Sequence, residues 1–309
     1  MNGQILRAPV LRFAENRWLR RLATESSPGR RVASRFVAGV SLDDAMTAAR
    51  QLDRGGIATM LDHLGENVTA PEQAAAGAEN YTRALDRIRM ADGLDCAISI
   101  KLTQLGLDLS PTVCVEHVER VLEAAAGAGT IVMIDMESHA YVDRTLEIFR
   151  DLRTRHERVG VCLQTYLRRT ARDAAELPTG SMIRLVKGAY LEPPEVAFPK
   201  RDDVDASYAR LTAELLSRGH TVHVATHDPR LVEGTKRHVR SHDVPWSRVE
   251  FQMLYGIRRD LQNQLAGEGY PVRVYVPYGM EWYPYLTRRL AERPANMWFF
   301  LSNLVRRGR

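Results

Sequence analysis

The feature that most constrains the fold of this chain is a regular alternation of short apolar runs with longer amphipathic segments. Each run is rich in β-branched residues and stops at a polar or turn-forming residue, as strands do. The segments between the runs repeat apolar residues at helical spacing. The predicted strands are Ile57–Leu61, Cys96–Leu102, Thr130–Met136, Gly160–Tyr166, Met182–Gly188, Thr221–Thr226, Val249–Leu254 and Val272–Val276. The predicted helices are Ser41–Arg54, Pro71–Met90, Pro111–Gly127, Ala140–Arg155, Ala171–Glu176, Val204–Arg218, Pro229–Val239 and Ile257–Gly267.

Strands that alternate with helices in this way favour an α/β fold of the TIM-like (β/α)8 barrel type. The runs are almost continuously apolar, which is typical of parallel strands covered on both faces. The main alternative is a doubly wound open sheet, which would carry a glycine-rich phosphate turn after the first strand. Here that turn reads LDHLGE with a single glycine, and no G-x-x-x-x-G-K-[ST] occurs. We therefore expect one barrel over residues 41–309, preceded by a helical segment over residues 1–40.

Charge and hydropathy narrow the functional classes. The net charge of +5 comes from scattered basic residues, without a dense lysine block, so no nucleic-acid partner is expected. A mildly basic balance still suits an anionic substrate or an anionic lipid surface. No apolar run is long enough to span a bilayer. The N-terminus lacks a signal-peptide core, while its arginines and serines also allow a mitochondrial-type presequence, against which Glu15 and Glu25 count.

Cysteines and histidines give no sign of a disulfide framework or a metal site. There are three cysteines, Cys96, Cys114 and Cys162. Their odd number and wide spacing argue against disulfides and zinc, and a reducing cytosol fits. Three histidines could in principle bind metal, namely His63, His223 and His227. None stands in a metal-binding motif with a third ligand, so we expect no metal and place His223 in the barrel interior.

Polar residues lie within or at the ends of the predicted strands, where a barrel carries its active site. They are Lys101, Asp135, Gln164, Arg184, Lys187, His223, Thr226, His227, Gln252 and Tyr275. A buried charge without a partner is costly, so a single one could belong to a satisfied core ion pair. Several that converge on one barrel mouth indicate a functional site.

The C-terminal stretch Val272–Phe300 carries the most specific pattern. Pro277 and Gly279 are expected to stop the last strand, and a helix to begin near Pro284 and end before Pro294. Helical spacing places four polar side chains on one face, Tyr285, Arg288, Arg289 and Glu292. Leu286 and Leu290 fall on another side and can anchor the helix. A charged helix face is most often simply solvated, but paired arginines beside a tyrosine also suit an anion clamp.

Taken as a whole, this stretch resembles the C-terminal signature of proline dehydrogenases. The family motif R-R-x-x-E stands here as Arg288, Arg289 and Glu292, followed by Ala295–Asn296. The fifth-strand string R-L-V-K-G-A-Y of that family stands here as Arg184–Tyr190. The resemblance implies a distorted (β/α)8 barrel that holds FAD over the strand ends, with extra N-terminal helices and a C-terminal substrate-clamp helix. It extends back to about residue 57 and looks like the monofunctional bacterial type.

The resemblance also implies a role for each candidate residue. The catalytic set would be Asp135 and Arg184, which would lie beside the reacting substrate and flavin. The substrate-binding set would be Lys101, Tyr190, Tyr275, Tyr285, Arg288, Arg289 and Glu292. The FAD-binding set would be Met136, Gln164, Arg184, Lys187, Gly188, Ala189, Thr226 and His227.

The implied reaction is hydride transfer from L-proline to FAD, giving Δ1-pyrroline-5-carboxylate, with reoxidation by a membrane quinone. This predicts a cytoplasmic protein attached peripherally to the inner membrane. Two other readings stay open from the residues alone. One is a barrel enzyme without flavin that acts on a small anionic or phosphorylated substrate. The other is a basic module that binds membrane or RNA without catalysis.

Overall fold

The computed structural model describes residues 33–65 and 68–291, and the side chains as far as Thr287. Its strands are β1 (Ala58–His63), β2 (Cys96–Ile100), β3 (Val132–Ile134), β4 (Val159–Gln164), β5 (Met182–Val186), β6 (Thr221–Ala225), β7 (Val249–Leu254) and β8 (Val272–Tyr278). Its helices are α1 (Leu42–Asp53), α2 (Pro71–Arg89), α3 (Pro111–Gly127), α4 (Val142–Arg153), α5 (Thr170–Ala175), α6 (Arg201–Ser217), α7 (Pro229–Ser241), α8 (Arg259–Gly267) and α9 (Trp282–Ala291).

The strands form a closed barrel in chain order, and every neighbouring pair is parallel. The predicted (β/α)8 architecture is therefore confirmed. The barrel closes where β1 pairs with β8, from Ala58 opposite Arg273 to His63 opposite Tyr278. Since the C-terminal ends of all eight strands lie at one mouth, side chains far apart in sequence meet there.

Most helix boundaries follow local sequence chemistry. Ser41 caps α1 through a capping box with Asp44. Pro111 opens α3 directly after its cap Ser110, and Asp228 caps α7, which also starts at a proline. These residues satisfy or avoid the unpaired N–H groups of a first helical turn.

The end of β8 corrects one prediction. Pro277 does not stop the strand, which runs on to Tyr278. The neighbouring strand β7 has already ended at Leu254, opposite Tyr275, so no ladder hydrogen bond needs the N–H that proline lacks. The Pro277 carbonyl instead accepts a hydrogen bond from the Ala38 N–H at 2.9 Å.

The strands β2, β4, β5 and β6 differ from the predicted bounds by one or two residues, and the differences at β1 and β3 bear on the site. The first strand begins one residue later than predicted and continues through Asp62 and His63. The third is shorter than Thr130–Met136, because only Val132–Ile134 pairs with both neighbours. Asp135 therefore lies just beyond the end of β3, at the barrel mouth.

Apolar side chains pack on both faces of the barrel wall, as the alternation of strand side chains requires. A large apolar cluster fills the space between the barrel wall and the surrounding helices. A small cluster of Met60, Ala97 and Met133 lies inside the barrel. The Gly160 Cα approaches this interior so closely that an added Cβ would stand 2.7 Å from the Met133 Cε. All three cysteines are buried and unpaired.

The helix α9 begins at Trp282, two residues before the predicted start, with Pro284 in its first turn. Leu286 anchors it as predicted and is fully buried in a cluster with Trp282 and Tyr285. The clamp side chains Arg288, Arg289 and Glu292 lie outside the described side chains, as does Leu290. Most of the predicted N-terminal segment 1–40 is likewise outside the described residues, and its boundary with the barrel stays a prediction.

Over residues 33–65 and 68–291, the structure has no helix both long enough and apolar enough to cross a bilayer. The same residues contain no cluster of three or more side chains suited to hold a metal ion.

Candidate functional site

A cavity of about 700 Å³ opens at the C-terminal ends of the strands. Every predicted site residue whose side chain is described lines it. These residues are Lys101, Asp135, Met136, Gln164, Arg184, Lys187, Gly188, Ala189, Tyr190, Thr226, His227, Tyr275 and Tyr285. The volume is within the range of about 300–1,000 Å³ that binds small molecules and cofactors.

The floor of the cavity holds what we call the mouth cluster, formed by Asp62, Lys101, Asp135, Arg184 and Tyr275. The Lys101 Nζ lies 2.6 Å from Asp62 Oδ1 and 3.0 Å from Asp135 Oδ2. The Arg184 Nη1 lies 2.6 Å from the other oxygen of Asp135. The Tyr275 hydroxyl donates to Asp135 Oδ2 at 2.7 Å and lies 3.2 Å from Lys101 Nζ. Two acids and two bases thus neutralise each other in a buried position.

The two carboxylates of the mouth cluster differ in their electrostatic setting. Burial would raise the pKa of Asp135, but the charges of Lys101 and Arg184 outweigh it and hold that pKa below the ordinary value. Burial raises the pKa of Asp62, and the nearby Asp135 charge adds to this effect while Lys101 opposes it. Burial also keeps the pKa of Tyr275 well above 10, so its phenol remains a hydrogen-bond donor.

Asp62 is a member of the mouth cluster that sequence reasoning missed. Its side chain is buried, and the structure pairs it with Lys101 across neighbouring strands. The available signal was a carboxylate directly after the apolar run Ile57–Leu61. Ending the predicted strand at Leu61 placed Asp62 in a loop and hid that signal.

The rim over β5 and β6 is rich in charge. Lys187 pairs with Asp205 and, at 3.2 Å, with Asp228. Asp228 is also the cap of α7 and accepts from the Arg230 N–H at 3.1 Å. Burial opposes its ionisation, but hydrogen bonds from Arg230 and Lys187 lower its pKa to about 2. Arg201, Arg230 and Arg258 line the same rim. These three arginines were not among the site residues predicted from the sequence.

Backbone and amide groups shape the wall near β4 to β7. Gln164 Nε2 donates to the carbonyls of Met136 and Glu137 at 3.3 and 3.0 Å. Within the described residues its Oε1 is buried without a hydrogen-bond partner. His227 Nε2 accepts from the Leu254 N–H at 3.0 Å. Gln164 therefore offers an acceptor that a bound N–H group would satisfy.

Gly188 allows a close approach that a side chain would block. Its φ is +120°, and an added Cβ would lie 2.2 Å from the ring of Tyr166. The glycine thus permits the backbone turn that carries the chain from β5 to Ala189 and Tyr190 on the cavity wall.

These features together fit a large cofactor with an anionic part and a polar planar part. The basic rim of Lys187, Arg201, Arg230 and Arg258 suits phosphate groups. The unpartnered Gln164 oxygen suits a ring N–H. His223 lies instead in the barrel interior, with its Nδ1 2.8 Å from Gln252 Nε2, as expected.

Comparisons with known proteins all indicate the same family. The sequence model of the family described as "Proline dehydrogenase" matches residues 45–301. A proline dehydrogenase of Deinococcus radiodurans is 42% identical, over 99% of this chain and 100% of its own length. Proline dehydrogenase 1 of Bacillus subtilis is 39% identical, over 98% of this chain and 100% of its own length.

Solved structures with the same fold include proline utilization A (PutA) from Bdellovibrio bacteriovorus, inactivated by N-propargylglycine. It superposes with a TM-score of 0.78 at 24% identity, over 85% of this chain and 32% of the PutA chain. PutA from Bradyrhizobium japonicum superposes with a TM-score of 0.71 at 22% identity, over 89% of this chain and 32% of its own length. The described barrel thus corresponds to about a third of these longer chains.

Proposed function

This chain belongs to the proline dehydrogenase family, and from that premise we propose that it oxidises L-proline in the first step of proline catabolism. The observation that carries the proposal is the mouth cluster, in which Lys101, Arg184 and Tyr275 surround Asp135 at the floor of the cavity. A buried, charge-balanced floor beneath a cavity of cofactor size suits an oxidation that must exclude water.

The substrate is a small zwitterion, and the chain offers groups for each of its parts. We assign the carboxylate to Lys101 together with Arg288 and Arg289. Arginine suits this task because its planar fork donates two parallel hydrogen bonds to a carboxylate. Glu292 would orient the two arginines. We assign the walls around the apolar ring to Tyr190, Tyr275 and Tyr285, whose aromatic faces can pack against methylene groups.

The cofactor that we propose is noncovalent FAD, in line with a family that is generally flavin-dependent. FAD supplies the hydride acceptor for the ring carbon next to the proline nitrogen, and the product is Δ1-pyrroline-5-carboxylate. We assign its binding to Met136, Gln164, Arg184, Lys187, Gly188, Ala189, Thr226 and His227. The support for this assignment is the cavity volume, the basic rim and the unpartnered oxygen of Gln164.

The electrostatics of the mouth cluster separate the roles of its members. Asp135 has a lowered pKa and is therefore a poor proton acceptor near neutral pH. We propose that it holds Lys101, Arg184 and Tyr275 in place. Arg184 would then hold positive charge at the cofactor site, where it would favour hydride transfer.

The electron acceptor that we propose is a membrane quinone, reached by peripheral contact of a cytoplasmic protein with the inner membrane. The support is the basic and partly apolar character of Leu6–Arg21 and Trp298–Arg309. Flotation with anionic vesicles should show binding at low salt that high salt reverses. A protein that stays unbound at low salt would contradict this part of the proposal.

The visible spectrum of the purified protein tests the central proposal. We expect flavin absorbance that anaerobic L-proline bleaches, recovery of the colour when a quinone is added, and negligible reduction of NAD. Colourless protein would favour a flavin-free barrel enzyme for a phosphorylated substrate, to which the basic rim is also suited. Proline-dependent NAD reduction at a comparable rate would contradict the assigned acceptor.

A further inference from the structure

Beneath the mouth cluster, a chain of buried polar side chains continues down the inside of the barrel. Its upper member is Gln252 on β7, which is 3% exposed. Gln252 Oε1 accepts a hydrogen bond from Arg184 Nε at 2.8 Å. Arg184 is thereby held on two sides, through Nη1 by Asp135 and through Nε by Gln252. These two contacts fix the plane of its guanidinium group.

The other end of the Gln252 amide is also fully engaged. Its Nε2 donates to Glu250 Oε1 at 2.7 Å, and it lies 2.8 Å from Nδ1 of His223. One amide nitrogen carries two hydrogens, so these two acceptors use both of them. Burial lowers the pKa of His223 to about 4, so the ring is neutral near pH 7 and its Nδ1 can accept.

Glu250 is itself held from below by Arg273 on β8. Arg273 Nε lies 2.9 and 3.0 Å from the two oxygens of Glu250. Its Nη1 reaches Asp95 before β2 at 2.9 Å. Burial opposes ionisation of Glu250, but His223 when protonated, the Arg273 charge and hydrogen bonds from Arg273 and Gln252 outweigh it and lower its pKa to about 2. A negative charge therefore faces the Gln252 amide near neutral pH.

These contacts leave the Gln252 amide one orientation. Turning it over would place its oxygen against the Glu250 carboxylate and its N–H groups against the Arg184 guanidinium. Both contacts would be repulsive in a low-dielectric interior, where an unsatisfied polar group is most costly. The charge of Glu250 thus decides which end of the amide meets Arg184.

From this arrangement we infer that Gln252 is a positioning residue for Arg184, and that Glu250 and His223 set the orientation of its amide. The inference rests on the proposed function, because it assigns Arg184 its place beside the reacting groups. Gln252 also lines the cavity, but the role assigned to it here is exerted through Arg184. Gln252 orients Arg184, whose positive charge the proposed reaction requires.

The test compares Gln252→Met with the parent protein. Methionine has a similar length and volume, but its thioether is only a weak acceptor for Arg184 and cannot donate to Glu250. We expect proline to reduce the bound flavin about tenfold more slowly, which is the size of one lost charge-assisted hydrogen bond. The dissociation constant for proline should change less than about threefold, because other residues bind the carboxylate. The flavin midpoint potential should become more negative.

Two further variants separate positioning from packing. Gln252→Glu keeps an acceptor for Arg184 and should restore much of the rate at low pH. The second oxygen of the introduced carboxyl group faces Glu250 and His223, and it must carry a proton to donate a hydrogen bond to either of them. Arg273 lies on the far side of Glu250. The restored rate should therefore fall as pH rises and this proton is lost. Asp95→Asn, at the exposed end of the same polar chain, is the matched control and should leave rate and potential unchanged.

The outcomes distinguish this inference from the proposed function. If proline fails to reduce the parent protein, the proposed function is wrong, and a crystal structure of Gln252→Met still decides the inference. We expect that structure to show Arg184 turned from its place against Asp135. An unmoved Arg184, or a Gln252→Met variant with parental rate and potential, would overturn it. Equal losses in Gln252→Met and Asp95→Asn would also overturn it, because they indicate a general packing effect.

Discussion

The Tyr275 hydroxyl donates a hydrogen bond to Oδ2 of Asp135 over 2.7 Å, from β8 to the end of β3. The same carboxylate accepts from Lys101 and Arg184. The Ser99 hydroxyl on β2 also donates to it at 2.7 Å, so one acid organises four donors. Its removal would leave two cations in a buried site with Asp62 as the remaining carboxylate of the mouth cluster.

Asp135→Asn should therefore affect both folding and turnover. Breaking a buried ion pair by removing one partner costs about 3–5 kcal/mol, and we expect kcat/KM for proline to fall by about a hundredfold or more. Chemical denaturation and steady-state kinetics measure the two effects. The control is Asp108→Asn, whose pair with Arg144 is exposed and should matter by less than about 1 kcal/mol. Similar values for both variants would contradict the assigned role.

Gly188→Ala should destabilise the protein more than Gly180→Ala. Both glycines have positive φ, but a Cβ at Gly180 meets open space, whereas one at Gly188 meets the ring of Tyr166. Backbone strain alone costs about 1–2 kcal/mol, and overpacking adds about 1–3 kcal/mol. Thermal unfolding of both variants measures the difference, and flavin content is expected to fall only in Gly188→Ala. Equal melting temperatures would show that the Tyr166 ring moves aside at little cost.

Arg288→Lys and Arg289→Lys should each raise the KM for proline by about tenfold or more. Lysine replaces the planar fork of arginine with a point charge, and a charge-assisted hydrogen bond contributes about 1.5–3 kcal/mol. Flavin content should stay at the parental level, since strands β4 to β6 are assigned to the cofactor. Glu292→Gln should act more weakly. Steady-state kinetics and flavin quantification measure these effects. An unchanged KM in both variants would indicate that the two arginines lie on a solvated helix face.

Acid should destabilise the fold as pH falls from about 6.5 to about 4. Burial lowers the pKa of His63 to about 4, with Arg83 and Lys101 adding to the effect, and burial does the same for His223. The unfolded chain binds protons below the ordinary value of 6.5, while the folded chain resists until about pH 4. Each histidine can thus remove at most about 1.4 kcal/mol per pH unit from the free energy of unfolding.

Denaturation at several pH values, with His63→Asn and His223→Asn, checks this expectation. Each variant should flatten the fall in the free energy of unfolding between pH 6.5 and 4, whatever its stability at neutral pH. A parental slope in both buried variants would assign the acid sensitivity to other groups.

Local sequence was sufficient for much of the fold. The strand Val249–Leu254 and the helix Pro111–Gly127 have the predicted bounds, because apolar periodicity and proline placement act over a few residues. The strings around Arg184–Tyr190 also directed attention to residues that prove to line one cavity. Strand ends were less predictable, because a strand continues only as far as its neighbours pair with it.

The pairings within the site depend on tertiary structure. Lys101 meets Asp62, and Arg184 meets Gln252, only because strand pairing sets the register between residues far apart in sequence. No spacing along the chain encodes which acid a buried base will face. The sequence by itself determined the order of the elements and the kinds of residue at their ends. Strand register and barrel closure decided which of those residues form ion pairs with each other, since an ion pair depends on distance in space and on burial.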